Sequence, residues 1–107
     1  MDIPLQLTWR GLDRSEAIEA AVRDAANKLH QFHPRIVSCR VVLEQSDRHK
    51  RHGRQFAVRL DVRAPRTEIA INKEHDEDVY IALRDAFFDA RRKLDEQLKE
   101  KEKEKKK

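Results

Sequence analysis

The residues best equipped for chemistry in this chain are crowded into one stretch, DRHKRHGR, residues 47–54. It holds Arg48, Lys50, Arg51 and Arg54, the histidines His49 and His52, one acid, Asp47, and Gly53. Paired histidines raise the question of a metal. On a helix their spacing would place both imidazoles on one face. Here the flanking runs VSCRVVLE and QFAVRLDVRA read as strands, so the stretch is a hairpin tip and the spacing carries little. A dication would also sit among Arg48, Lys50, Arg51 and Arg54 with only Asp47 to offset them, which Coulomb repulsion opposes. A solvated turn and a contact with nucleic acid are the stronger readings. Crowded like charge repels itself, and a polyanion relieves that cost. Histidine adds donors in mild acid and a stacking surface near neutrality. Basic loops of this kind follow phosphates, so nucleic-acid contact is the favoured reading.

Other arrangements that would signal chemistry are missing. Glycine occurs only at Gly11 and Gly53, so no Gly-rich phosphate loop can form. Ser15 and Ser38 have no base in a catalytic arrangement. Glu74, His75 and Asp76 are adjacent on a linker, a weak metal signal. Asp76, Glu77 and Asp78 fit better as caps and dipole-compensating charges at a helix start. Cys39 alternates with apolar residues and reads as a buried structural thiol; a single cysteine excludes an internal disulfide. The expectation is a protein that is not an enzyme, with no cofactor and no metal.

At 107 residues the chain suits one domain with a modest core. Charged residues make up 41% and hydrophobic ones 38%, but the apolar residues are periodic, so the body reads as folded. The net charge is +4. The tail KEKEKEKKK (99–107) accounts for +3 and DRHKRHGR for another +3, so the rest is slightly acidic. The signal therefore lies in the distribution of charge: a basic knob and a basic tail on a near-neutral body. The start, MDIPLQLTWR, has no signal-peptide character, and no apolar run approaches the roughly 20 residues of a membrane span. A cytoplasmic location is expected.

The elements that must carry the basic residues follow from periodicity. Residues 3–9 alternate, with Ile3, Leu5, Leu7 and Trp9 on one side, and predict a strand; Pro4 suits an edge or first position. Asp13, with Glu16 three residues on, predicts a capped helix over about 14–31. Its apolar stripe is Ile18, Ala21, Val22, Ala25 and Leu29, its outer face holds Arg23, Asn27, Lys28 and His30, and Phe32 and His33-Pro34 end it. Strands are predicted over 36–45, with Val37, Cys39, Val41 and Leu43 inward, over 55–63, with Phe56, Val58, Leu60 and Val62 inward, and over 67–72, with Ile69 and Ile71 inward. KEHDED (73–78) leads to a second helix from about 77 to the high 90s, with the stripe Val79, Leu83, Ala86, Phe87, Ala90, Leu94 and Gln97/Leu98. The fold class is α+β, in the order β-α-β-β-β-α: a four-stranded mixed sheet covered on one face by two helices. The first two strands, if neighbours, are parallel. The other sheet face is polar, with Gln6, Thr8, Arg10, Ser38, Arg40, Arg59, Asp61 and Arg63. The domain is expected over 1–98, with 99–107 a disordered or fraying charged tail.

On the second helix Tyr80, Arg84 and Arg91 lie beside the core stripe, while Phe88 points away from it. An outward Phe near Arg84, Arg91 and Arg92 suits stacking on a base, or packing on a neighbouring element or chain. Arg23 and Lys28 face outward from the first helix, so side-by-side helices would pool their basic residues.

These segments resemble a known family. LDRSEAIEAAVRDAANKLHQF and HDEDVYIALRDAFFDARRKLDEQL, in this order of elements, are similar to the ribosome hibernation-promoting factor and ribosome-associated translation inhibitor family. His75 to Leu83 matches its acidic H-E-D-M/V-Y-x-A-I/L helix start with one inserted acid, and Asn27 to Phe32 matches the end of its first helix. The resemblance covers about residues 3–98 and is to the short, single-domain form. It implies binding to the small ribosomal subunit near the decoding site, in the channel for messenger and transfer RNA, with inhibition of translation and protection of idle ribosomes. It implies contacts through basic outer helix faces and loops, with Lys28 and Arg92 at the family's basic positions; Ala25, Asp89 and Glu96 stand where relatives often carry Arg or Lys. The expected RNA-binding residues are Arg23, Lys28, Arg48, His49, Lys50, Arg51, His52, Arg54, Arg84, Phe88, Arg91 and Arg92, and the expected partners are ribosomal RNA and neighbouring ribosomal proteins. The competing reading is a regulatory module that docks a protein through its long last helix and charged tail.

Overall fold

Two helices lie on one face of one four-stranded sheet, and the order of elements is the expected one. The computed structural model describes residues 3–46, 55–75 and 78–105, with side chains described as far as residue 97. The elements are β1 (Leu5–Arg10), α1 (Glu16–Phe32), β2 (Ser38–Ser46), β3 (Gln55–Ala64), β4 (Thr67–His75) and α2 (Val79–Lys105). The sheet order is β1-β2-β3-β4. β1 runs parallel to β2, as a strand–helix–strand crossover requires, and the other pairs are antiparallel.

The alternation read from the strands is the alternation observed. Cys39, Val41, Leu43, Val58, Leu60, Val62, Ile69 and Ile71 are buried under the helices. From above they meet Val22, Ala26 and Leu29 of α1 and Val79, Leu83, Ala86, Phe87, Ala90 and Leu94 of α2. Each fully buried aliphatic side chain contributes about 1.5–3 kcal/mol, so this double stripe is the main source of stability. The partly buried Leu5, Leu7 and Trp9 close the core at the β1 edge.

Several boundaries differ from expectation, each for a physical reason. The cap of α1 is Ser15 and not Asp13: Ser15 is extended (φ −128°, ψ 125°) and its Oγ accepts the Ile18 N–H at 3.3 Å. Leu12, just ahead of the helix, packs on the core. Val37, expected inward, is 53% exposed because β2 begins at Ser38; Ile36 is buried in its place. Lys73–His75, read as linker, extend β4 and pair with Phe56–Val58. α2 runs on to Lys105; Glu and Lys favour helix, and no Gly or Pro interrupts them. Asp78 caps it, its Oδ1 accepting the Tyr80 N–H at 2.8 Å. Among the described residues no helix is long and apolar enough to cross a membrane.

Cys39 is buried on the inner face of β2, and burial pushes its thiol pKa up to about 11. The reactive thiolate is therefore scarce at neutral pH. Cys39 should resist a thiol-specific chromogenic reagent in the native protein at pH 8 and react at once in denaturant. Rapid native labelling would mean that the core opens at β2.

Candidate nucleic-acid interface

The two helices pack side by side, and the seam between their outer faces forms an open groove of about 430 Å³. Its floor is apolar, from Ala21, Ala25 and Leu29 of α1 and Leu83 and Phe87 of α2. Its rim carries Lys28, Arg84 and Arg91, with Phe32, Tyr80 and Phe88. The 3.6-residue repeat explains this: Tyr80, Arg84, Phe88 and Arg91 are three or four residues apart and share one stripe of α2, next to the stripe that enters the core. Phe32 is 55% exposed and Phe88 67%, large values for rings this size. The Arg91 guanidinium carbon lies 3.5 Å from the centre of the Phe32 ring, a cation–π contact that ties the end of α1 to α2.

Four of the twelve expected residues thus meet in the groove: Lys28, Arg84, Phe88 and Arg91. Arg23 and Arg92 do not line it. Arg23 pairs with Glu19 at 3.4 Å, one turn back along α1. Arg92 pairs with Asp89 at 3.6 Å on the flank of α2 that faces β4. Arg48, His49, Lys50, Arg51, His52 and Arg54 lie outside the described residues. The groove's own cations have loose, exposed partners: Lys28 is 3.9 Å from Asp24 and Arg84 is 3.4 Å from Asp85. Pairs of this kind contribute about 0–1 kcal/mol, so either cation exchanges its carboxylate for a phosphate at small cost.

The linear pattern marked Phe32 only as a helix terminator and Tyr80 only as a neighbour of the core stripe; the groove uses both. The helical phase exposed Tyr80, but Phe32 depended on how α1 and α2 cross. His33 was likewise read as a terminator. It is buried, and its Nε2 lies 2.8 Å from Asp95 Oδ1, an ion-pair distance without the alignment of a hydrogen bond. It closes a smaller, mainly apolar hollow of about 230 Å³ at the far end of the helices, next to the hydrogen bond between Thr67 and Gln97. The polar residues near the start of α2 have structural work: His75 Nδ1 accepts the Asp78 N–H at 3.1 Å and Glu74 accepts from Gln55 Nε2 at 2.9 Å.

Asp89 joins α2 to the sheet. Its carboxylate meets Lys73 of β4 at 2.5 Å. The hydrogen bond from Lys73 holds its pKa below the ordinary value; the charges of Lys73, Arg92 and Lys93 act the same way, and burial opposes them. A lowered carboxylate pKa adds stability that is complete above the unfolded pKa, near 4, and is lost as pH falls through the lower folded value. Asp89→Asn should therefore lower stability at pH 7 by about 0.2–1 kcal/mol. The gap to wild type, measured from urea midpoints, should close as pH falls below about 4. A gap unchanged in acid would assign the loss to packing.

The open face of the sheet is polar as expected, with Gln6, Thr8, Arg10, Arg40 and Arg59 lining one broad depression together with Glu44, Asp61 and Glu74. Its charges are mixed in sign, and among the described residues it has no exposed ring on it.

Comparison with solved structures finds the same fold in known proteins. A ribosomal subunit interface protein from Coxiella burnetii is 18% identical, with a TM-score of 0.73 over 89% of this chain and 97% of that one. The N-terminal domain of Thermus thermophilus Protein Y is 20% identical, with a TM-score of 0.72 over 88% of this chain and 96% of that one. No curated protein matches in sequence. A family model described as sigma 54 modulation protein / S30EA ribosomal protein matches residues 5–107. Because the match runs over nearly the whole length, this chain belongs to the sigma 54 modulation protein / S30EA ribosomal protein family.

Proposed function

We propose that this protein binds the small ribosomal subunit near the decoding site, in the channel used by messenger and transfer RNA, and thereby inhibits translation and protects idle ribosomes. The observation that carries the reading is the α1–α2 groove, where Lys28, Arg84 and Arg91 stand beside exposed aromatic rings on a two-helix surface. Membership of a ribosomal-protein family supports the RNA partner, and one structural relative is named for a ribosomal subunit interface. DRHKRHGR extends the contact as a second, phosphate-following element. Binding works by occupancy and needs no bond making, which agrees with the absence of a catalytic constellation in the sequence.

The test is co-sedimentation with purified small subunits across a salt series. Each phosphate neutralised releases counterions, so affinity should fall steeply as salt rises. The protein should also suppress translation in a cell-free system at stoichiometric amounts. Affinity that stays flat from low to moderate salt would replace the RNA contact with a protein-docking surface. Replacing Arg48, Lys50, Arg51 and Arg54 by Ser should lower the salt slope by about one unit at most for every phosphate that is no longer neutralised. An unchanged slope would return that stretch to a solvated turn.

A further inference from the structure

We infer that the α1–α2 groove recognises unpaired RNA bases by stacking, so that its ligand is single-stranded RNA and not duplex; this rests on the RNA-binding reading above. The electrostatics of the groove lead to it. Lys28, Arg84 and Arg91 supply three positive charges, but Asp24 and Asp85 stand against two of them at 3.9 and 3.4 Å. A rim that nearly neutralises itself is a poor clamp for a duplex, whose bases are hidden and whose recognition rests on phosphate contacts. What the groove offers in excess is flat apolar surface. Phe32, Tyr80 and Phe88 are 55%, 46% and 67% exposed, although a packed floor lies directly beneath them. Exposed rings clustered in this way mark a contact surface.

The arrangement of the rings suits a strand of bases. Tyr80, Arg84 and Phe88 are successive i, i+4 positions, so the two rings stand about 12 Å apart along α2 with a guanidinium between them. Arg91 already lies against Phe32, with its carbon 3.5 Å from the ring centre. A guanidinium held this way is fixed in position before any ligand arrives, and its outer face is a preformed platform for a base. Stacking accepts any base, so binding here should be sequence-tolerant.

The test measures fluorescence anisotropy of the full chain with an unstructured eight-nucleotide RNA and with a blunt RNA duplex containing the same sequence. The single strand should bind at least about tenfold tighter, since base–aromatic stacking contributes about 1–3 kcal/mol per base. Phe32→Leu with Phe88→Leu keeps apolar bulk and removes the π faces. It should weaken single-strand binding about tenfold or more, leave duplex binding unchanged, and lower the melting temperature by no more than a few degrees through loss of the Arg91–Phe32 contact. Arg91→Lys keeps the charge, removes the plane, and should weaken the same interaction several-fold. Equal affinity for the two RNAs, or single-strand binding unchanged in these variants, overturns the inference. Small-subunit co-sedimentation reports separately on the functional reading. If it persists at full strength in the Leu variant, stacking fails and the functional reading stands. If the wild-type chain never co-sediments, the functional reading itself fails.

Discussion

Reversing the two arginines of the groove, Arg84→Glu with Arg91→Glu, should reduce small-subunit affinity about a hundredfold at moderate salt. Hydrogen bonds to a charged group contribute about 1.5–3 kcal/mol each, so removing two of them amounts to two or more factors of ten in affinity. The new carboxylates would also repel phosphate, and the effect should be larger at low salt, where screening is weak. Arg84 is 73% exposed on its side chain, and Arg91 stacks on the exposed Phe32 ring, so the fold should survive with a melting temperature within a few degrees of wild type. Reversal of Arg23 and Arg92 is the informative comparison. Both carry the same charge on the same helices, but they sit outside the groove with Glu19 and Asp89 as partners. Their reversal should cost markedly less. Equal effects from the two pairs would show that bulk helix charge, and not the groove, governs binding. Lys28 lines the groove and belongs with the first pair.

Gly11→Ala should be among the most damaging single substitutions to stability. Gly11 follows β1 with φ +72°, a conformation that costs an L-residue about 1–3 kcal/mol when the surroundings enforce it. The surroundings do enforce it. An added Cβ would stand 2.5 Å from the Gln45 carbonyl oxygen of β2, and that oxygen is backbone and cannot swing aside. β1 is an edge strand held by its parallel pairing to β2, from Leu5 opposite Cys39 to Arg10 opposite Glu44, so the clash falls just where that pairing ends. Thermal unfolding should move down by on the order of 10 °C, at about 4–8 °C per kcal/mol for a domain of this size. A shift of a degree or two would mean that the β1 end relaxes freely and that the turn is not constrained.

The same two sites show which features were legible along the chain. Period-two alternation in IPLQLTW, CRVVL and FAVRLDV named the inward side chains correctly, because a strand's side chains must alternate whatever lies above it. Outward side chains on a helix are also legible: the repeat placed Arg84, Arg91 and Phe88 outside the stripe through Val79, Leu83, Phe87 and Leu94, and they are outside it. Elements with strong local periodicity, joined in the order β-α-β-β-β-α, leave few ways to cover one sheet face, so the architecture followed.

Tertiary structure decided what depends on contact between distant segments. Ala26 was absent from the expected stripe and is buried, because a small side chain carries almost no hydrophobic signal and marks only where α1 comes close to its neighbours. β4 runs on to His75 through the polar Lys73 and Glu74, since β3 continues beside them and backbone pairing does not depend on side-chain polarity. Asp13 and Ser15 are both good caps, and Ser15 is the one whose Oγ meets the Ile18 N–H once Leu12 lies against the core. Phe32 and Arg91, 59 positions apart, met only because the helices lie side by side, and that meeting turned scattered basic residues into a groove. Composition and spacing determine which side chains leave the core; the crossing of the two helices determines which of them stand together.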